Sequence, residues 1–386
     1  MFVTRQQMEQ VEAETLAPYA LLSGKSKGRR FPDSEPRYRT AFQRDRDRII
    51  HSAAFRRLEY KTQVFVNDEG DYYRTRLTHT LEVAQIGRTL ARALGVNEYL
   101  VEAICLAHDL GHPPFGHAGE GVLDALLKEY GDENGFNHNF QSYRVVTALE
   151  HRYPGWAGLN LTNETLEGIA KHETEYDFSA FPDFDQTTRA SLEAQIANVA
   201  DELAYNAHDL DDGLQAELIQ PEQLNELEIW RQVRESVGWN GGKLDEIGRH
   251  RVIRELVGIQ VDDVLTTTVR LIENLNLQTP QAIQQHDSNI VQHSPAFKAN
   301  NRELKAFLYQ HMYRHFRVIR MAKRAERFTT EIFRSYVGEP RQLPQSDQEK
   351  LKTASLPRVV ADYIASMTDR SALLEYRRLF DPLTRP

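Results

Sequence analysis

Residues 108–120 read HDLGHPPFGHAGE, with three histidines, an aspartate and a glutamate spaced around a Gly-Pro-rich turn. An imidazole beside a carboxylate, as in His108-Asp109, offers one nitrogen and one oxygen donor to a borderline-hard divalent cation. His108 follows Ile104 by four residues and Val101 by seven, which puts it on the apolar face of a helix. An unpaired polar ring is costly on such a face. His79 sits four residues before Val83 and seven before Ile86, again on an apolar stripe. Asp201, Tyr205, His208 and Asp209 fall at i, i+4, i+7 and i+8 and form one polar stripe on an otherwise apolar helix. His79, His108, Asp109 and Asp201 are therefore the candidate ligands of one buried metal. Two His and two Asp leave positions open for water on a six-coordinate ion, which catalysis requires. A single inward histidine is more often a satisfied core residue; the order His…His-Asp…Asp is the more specific signal. Helix termination accounts for Gly111 and Pro113 but not for His112, His117 and Glu120.

The elements that must position these groups are helical. Apolar residues recur at helical spacing, while alternating runs bounded by turn dipeptides are few. The pattern predicts helices over 4–22, 42–62, 76–94, 98–110, 119–130, 139–150, 163–172, 187–210, 221–236, 243–277, 302–334 and 358–380. Residues 64–73 (VFVNDEGDYY) are the best hairpin candidate, 23–40 read as a basic mobile loop, and 338–347 as a linker. The expected fold class is all-α with at most a small β-hairpin. It divides into an N-terminal helix and loop (1–41), a metal-dependent core (42–212) and a C-terminal helical region packed on it (213–386).

Composition narrows the function classes. The chain has 47 basic and 56 acidic residues, a net charge of −9, which disfavours a protein that coats nucleic acid non-specifically. One cysteine, Cys105, excludes an intrachain disulfide framework and a Cys-based zinc knuckle. No window approaches a membrane span, and residues 1–16 lack a signal-peptide apolar region, so a cytoplasmic location is expected.

Several stretches carry a narrower signal. They are FQRDRDRIIHSAAFRRLEYKTQVF (42–65), RTRLTHTLEVAQIGR (74–88), AHDLGHPPFGHAGE (107–120), GFNHNFQSYRVV (135–146), ADELAYNAHDLDDGL (200–214) and DYIASMTDR (362–370). In these the chain resembles the HD-domain metalloenzymes. More closely, it resembles the bacterial deoxyguanosine triphosphate triphosphohydrolase family, relatives of the animal dNTP triphosphohydrolase. The resemblance implies hydrolysis of a deoxynucleoside triphosphate to the deoxynucleoside and tripolyphosphate, with Mn²⁺ or Mg²⁺ as cofactor. It implies that Glu120 orients His117 beside the metal and that His138 protonates the leaving 5′-oxygen. It also assigns Arg76 to phosphate, Gln63 and Asp209 to the sugar 3′-hydroxyl, Tyr205 to the face of the sugar where a 2′-hydroxyl would collide, and Tyr313 to the base or sugar. The animal relative carries a basic residue directly after its last ligand; here that residue is Glu202, and Lys171 is one candidate substitute.

Two alternatives stand beside this reading. One is an HD nucleotidase or phosphodiesterase, against which the 3′-hydroxyl contacts argue, since a cyclic 3′,5′ substrate has none. The other is a catalytically silent module sensing nucleotide or single-stranded DNA, against which the complete ligand set argues. The resemblance further implies a homo-oligomer, in some members a hexamer, and a dNTP activator at a subunit interface. The Lys-Arg cluster at 25–30 reads as a solvated loop rather than a DNA site, and no membrane partner is expected. Five acidic residues (Asp109, Glu120, Asp201, Glu202, Asp209) fall in or beside the site, so without a metal it should repel a triphosphate.

Overall fold

The structure, a computed structural model, describes residues 2–63, 74–172, 181, 183–242 and 244–384. The hairpin expected at 64–73 lies outside them. Among the described residues the chain is helical, and β pairing is confined to isolated bridges such as Thr62–Thr75 and His151–Gly158. The α-helices are α1 (Arg5–Thr15), α2 (Ala41–Ile50), α3 (Ala53–Arg57), α4 (Arg76–Leu94), α5 (Glu98–Ala107), α6 (Gly116–Glu129), α7 (His138–Arg144), α8 (Asn163–Ala170) and α9 (Leu192–Gln215). They continue with α10 (Glu228–Val237), α11 (Glu246–Asn274), α12 (Pro280–Gln284), α13 (Pro295–Leu308), α14 (Phe316–Gly338), α15 (Gln345–Lys350), α16 (Leu356–Ala365) and α17 (Asp369–Phe380).

The scaffold of the site is α4, α5 and α9, packed on one another around a core of Val83, Leu90, Val101, Ile104, Ile196 and Leu203. The Thr75 side chain accepts the Thr78 N–H and starts α4, and Gly95, at φ 68°, ends it. Asn97 accepts two N–H groups and starts α5. A β-carbon at Gly87 would lie 2.9 Å from Val101 Cγ1 and 3.0 Å from Cys105 Sγ, so glycine sets the close α4–α5 approach. Helix α9 runs unbroken past residue 212 to Gln215, so the expected domain limit falls inside a helix. Farther on, α14 and α16 pack against α6 through Leu123, Leu127, Phe333 and Val360.

Several expected helices are broken by local features that compete with apolar periodicity. The stretch 42–62 splits because the Ser52 side chain accepts the Phe55 N–H and starts α3, followed by a 3₁₀ turn at Leu58–Tyr60. The stretch 4–22 stops at Thr15, two residues before Ala17, which the following Pro18 disfavours in a helix. The stretch 302–334 is interrupted by a π turn at Tyr309–Tyr313, after which His315 caps α14. The stretch 358–380 divides at Thr368, which caps α17 with a reciprocal Ser371 bond. Helices expected from 187 and 119 begin instead at Leu192 and Gly116, and 139–150 is α7 followed by a π turn at Val145–Leu149.

Candidate active site

Helix geometry brings the four candidate ligands to one point. His79 Nε2 lies 3.0 Å from Asp201 Oδ1, and His108 Nε2 lies 3.5 Å from the same oxygen and 3.4 Å from Asp109 Oδ1. The ligating atoms of His79, His108 and Asp109 are all within 4.8 Å of one another. His79, His108 and Asp109 are at most 3% exposed. His108 Nδ1 is 2.6 Å from the Cys105 carbonyl, which only accepts, so Nδ1 carries the proton, and in the neutral ring Nε2 keeps its lone pair. Among the described residues that buried Nε2 has no hydrogen-bond partner. An orphaned imidazole nitrogen facing two carboxylates suits a divalent cation.

The electrostatics agree. Burial would lower His108, but the Asp109 and Asp201 carboxylates outweigh it and raise the imidazole to about 9. Burial would raise Asp109, yet His108, Arg76 and His112 hold it well below the usual carboxylate range. Asp201 is likewise held low, against burial, by His108, His172 and His79. The two carboxylates favour positive charge at this point, whether a proton on His108 or a metal that displaces it.

A second cluster adjoins the first. The Glu120 carboxylate accepts from His117 Nδ1 at 3.0 Å through one oxygen. Through the other it accepts from His138 Nδ1 at 2.8 Å and the His138 backbone N–H at 2.7 Å. One carboxylate therefore orients both imidazoles and leaves each Nε2 outside its grip. Burial would raise Glu120, but His138 and the two imidazole hydrogen bonds pull it far down, so it stays ionised. His112 joins the clusters: its Nε2 lies 3.2 Å from Asp109 Oδ1, and its ring stacks on His138 at 3.8 Å between centroids. Burial, then the Arg76 and His138 charges, keep His112 well below the ordinary imidazole range. The turn between them is tightly specified. A β-carbon at Gly111 would lie 2.2 Å from the Ser142 nitrogen, and Phe115, at φ 64°, adopts a left-handed conformation unusual for its type. The Phe115 N–H donates to Asp369 Oδ1 at 2.8 Å, which ties the turn to α17.

Both clusters open into one cavity of about 700 Å³. Gln63, Arg76, His79, Asp109, His117, His138, Asp201 and Tyr205 line it, as do Lys298, Arg302 and Lys305 of α13. Arg76 Nη1 donates to Asp109 Oδ2 at 2.9 Å, and Gln63 Oε1 is buried without a partner among the described residues. Asp209 and Tyr313 are not among the lining residues. The Tyr313 hydroxyl bonds both the Tyr205 hydroxyl and Asp209 Oδ2, so these two residues brace Tyr205 from outside the lining. Burial, then Asp212, pushes Asp209 well above the usual carboxylate range. Lys171 is engaged with Glu167 and Thr188 and does not line the cavity. The cation beside Glu202 is instead Lys305, at 2.8 Å.

His112, His172 and Lys305 carry no role in the sequence reading. His112 had a signal, as a third histidine that turn formation does not require. His172 and Lys305 had none, because their partners Asp201 and Glu202 lie 29 and 103 residues away. No helix of the described residues is long and apolar enough to cross a membrane.

The chain is similar to known proteins along nearly its whole length. Residues 76–206 match the HD domain and residues 291–378 the phosphohydrolase-associated domain. The chain is 50% identical over 377 residues to the deoxyguanosinetriphosphate triphosphohydrolase-like protein of Geobacter metallireducens, covering 97% of both chains. The like-named protein of Geobacter sulfurreducens is 50% identical over 386 residues, covering 99% of this chain and 100% of that one. That of Deinococcus deserti is 46% identical over 383 residues, covering 98% of this chain and 97% of its own. With two His-rich clusters sharing one cavity and likeness along nearly its whole length, the chain belongs to the deoxyguanosinetriphosphate triphosphohydrolase-like family of HD-domain phosphohydrolases.

Proposed function

We propose that the protein hydrolyses deoxynucleoside triphosphates to the deoxynucleoside and tripolyphosphate. The observation that carries this reading is that the metal-binding cluster, the Glu120-centred histidine pair and several cationic side chains face a single cavity. Its volume, about 700 Å³, is in the range of small-molecule sites. A divalent ion held by His79, His108, Asp109 and Asp201 would polarise an α-phosphate oxygen and lower the pKa of an attacking water.

The remaining work falls to side chains. Arg76, Lys298, Arg302 and Lys305 supply positive charge for the triphosphate, and Lys305 can exchange its Glu202 partner for a phosphate oxygen. Glu120 fixes His117 and His138 through their Nδ1 protons, which leaves Nε2 of each for proton transfer. His138 gives a proton to the departing 5′-oxygen, a poor leaving group as an alkoxide, while His117 takes one from the water side. Neutral His112, stacked on His138, avoids setting two imidazolium rings face to face. The unpartnered Gln63 Oε1 accepts the 3′-hydroxyl, and Tyr205, braced by Tyr313 and Asp209, closes the space a 2′-hydroxyl would need.

The decisive experiment incubates each of the four dNTPs with protein and Mn²⁺ or Mg²⁺ in ¹⁸O-water. Deoxynucleoside and tripolyphosphate carrying the label are expected, because attack at the α-phosphorus breaks its bond to the 5′-oxygen. Release of a nucleoside monophosphate or of orthophosphate would overturn the proposal.

A further inference from the structure

The two candidate histidine ligands are held in different ways. His108 is oriented by its own helix, through the Cys105 carbonyl. His79 is oriented by side chains. Its Nδ1 lies 3.1 Å from Nδ1 of His208 on α9, with the two rings edge to face at 83°. His208 Nε2 lies 2.5 Å from Glu82 Oε2, one turn along α4 from His79. The same Glu82 oxygen accepts from Arg74 Nε at 3.0 Å, and Arg74 Nη1 reaches Asp211 at 2.9 Å and Asp212 at 3.0 Å.

Only one proton arrangement along this line permits metal binding. Two facing Nδ1 atoms can share one proton at most. If His208 donated it, the proton of neutral His79 would sit on Nε2, where it would occupy the lone pair that faces Asp201. For His79 Nε2 to be a ligand, its Nδ1–H must donate and His208 Nδ1 must accept. The proton of His208 then resides on Nε2, and there Glu82 is the acceptor. A carboxylate at the end of such a chain fixes the ligand's tautomer and raises its basicity, as partners of metal-bound histidines commonly do.

We propose that His208 and Glu82 are positioning residues for the metal, acting through His79. The inference rests on the metal site named under the proposed function, so its test reads metal affinity rather than turnover. Mn²⁺ is titrated into the metal-free, full-length protein, with free Mn²⁺ followed by electron paramagnetic resonance. Glutamine spaces an acceptor oxygen and a donor nitrogen much as histidine spaces its two ring nitrogens, so it separates proton placement from packing. His208→Leu should weaken Mn²⁺ binding by about 10–100-fold, and His208→Gln by far less. A leucine variant that binds as tightly as the glutamine one would overturn the proposal. Glu82, 44% exposed in its side chain, can be changed with little risk to folding. Glu82→Ala should therefore weaken Mn²⁺ binding roughly tenfold even if His208→Leu fails to fold, and an unchanged affinity would overturn the proposal. Asp109→Asn tests the underlying reading separately. If it binds Mn²⁺ as the parent does, the metal site itself is wrong. If it loses binding while Glu82→Ala and His208→Leu keep theirs, the metal site stands and the positioning chain fails.

Discussion

The metal-side half of the cavity and its acid–base half are built from different kinds of backbone. His79 and Asp201 stand inside α4 and α9, and His108 closes α5; the other faces of these helices are core. His117, Glu120 and His138 occupy the first turns of α6 and α7, which follow the left-handed Phe115 and the Asn137 cap. Exposure separates the halves at one residue: the His117 side chain is 64% exposed, while those of Glu120 and His138, at 12% and 6%, are enclosed like that of His108 at 3%. A cation site needs fixed distances and dry surroundings, which packed helices provide. Proton transfer to and from water needs access, which His117 has at the start of α6. His112 touches both halves, through Asp109 on one side and the His138 ring on the other.

The contrast is broken most severely at Asp109, whose carboxylate meets Arg76, His108 and His112. Asp109→Asn should abolish tight metal binding and lower turnover by roughly a thousandfold or more, several kcal/mol of lost charge stabilisation. Metal titration and dNTP turnover on the same preparation check both losses. Glu120→Gln is the sharper cut. It should leave Mn²⁺ affinity nearly intact while reducing kcat by roughly 10²–10⁴-fold, the usual contribution of a positioned acid or base. A parallel loss of metal affinity in the glutamine variant would mean that the two halves are not separable.

How much of this could be read from sequence follows from the same contrast. His79 and His108 were visible because each interrupts an apolar stripe whose other members, Val83, Ile86, Val101 and Ile104, are buried as the periodicity requires. Asp201 was visible from the polar stripe on α9, and that stripe also held His208, but without His79 beside it the sequence offered no role for it. The acid–base half depended on family resemblance, because a turn has no periodicity from which to infer directions. Glu120 reaching both His117 and His138 is a product of how α6 and α7 start. The same limit applied to helix ends. Ser52 and Thr368 cap new helices within stretches that keep an apolar pattern, so periodicity alone ran through them. The placing of Asp209 and Tyr313 outside the cavity lining was beyond reach too, since the Tyr205–Tyr313 contact joins residues 108 apart.

Helix α9 carries the comparison down to two carboxylates, and the smallest predicted effect lies there. Asp201 is surrounded by His79, His108 and His172 and is held low. Glu193, two turns earlier, has no cation beside it among the described residues; its Oε1 accepts the Leu21 and Asn97 N–H groups, and its Oε2 is buried without a partner there. Burial outweighs those hydrogen bonds and raises Glu193 to about 7, from 4.5 for an ordinary glutamate. Between these values the folded chain binds more proton at this site than the unfolded chain, so stability falls as pH rises through the window. Above it the ionised side chain costs on the order of 3 kcal/mol. Glutamine keeps the accepting oxygen and cannot ionise. Glu193→Gln should therefore melt a few degrees above the parent at pH 8.5, and the gain should shrink steadily as pH falls toward 5. Paired thermal melts across that range check the sign. A gain of equal size at both ends would assign it to packing rather than to charge, and the two carboxylates of α9 would then not differ in ionisation.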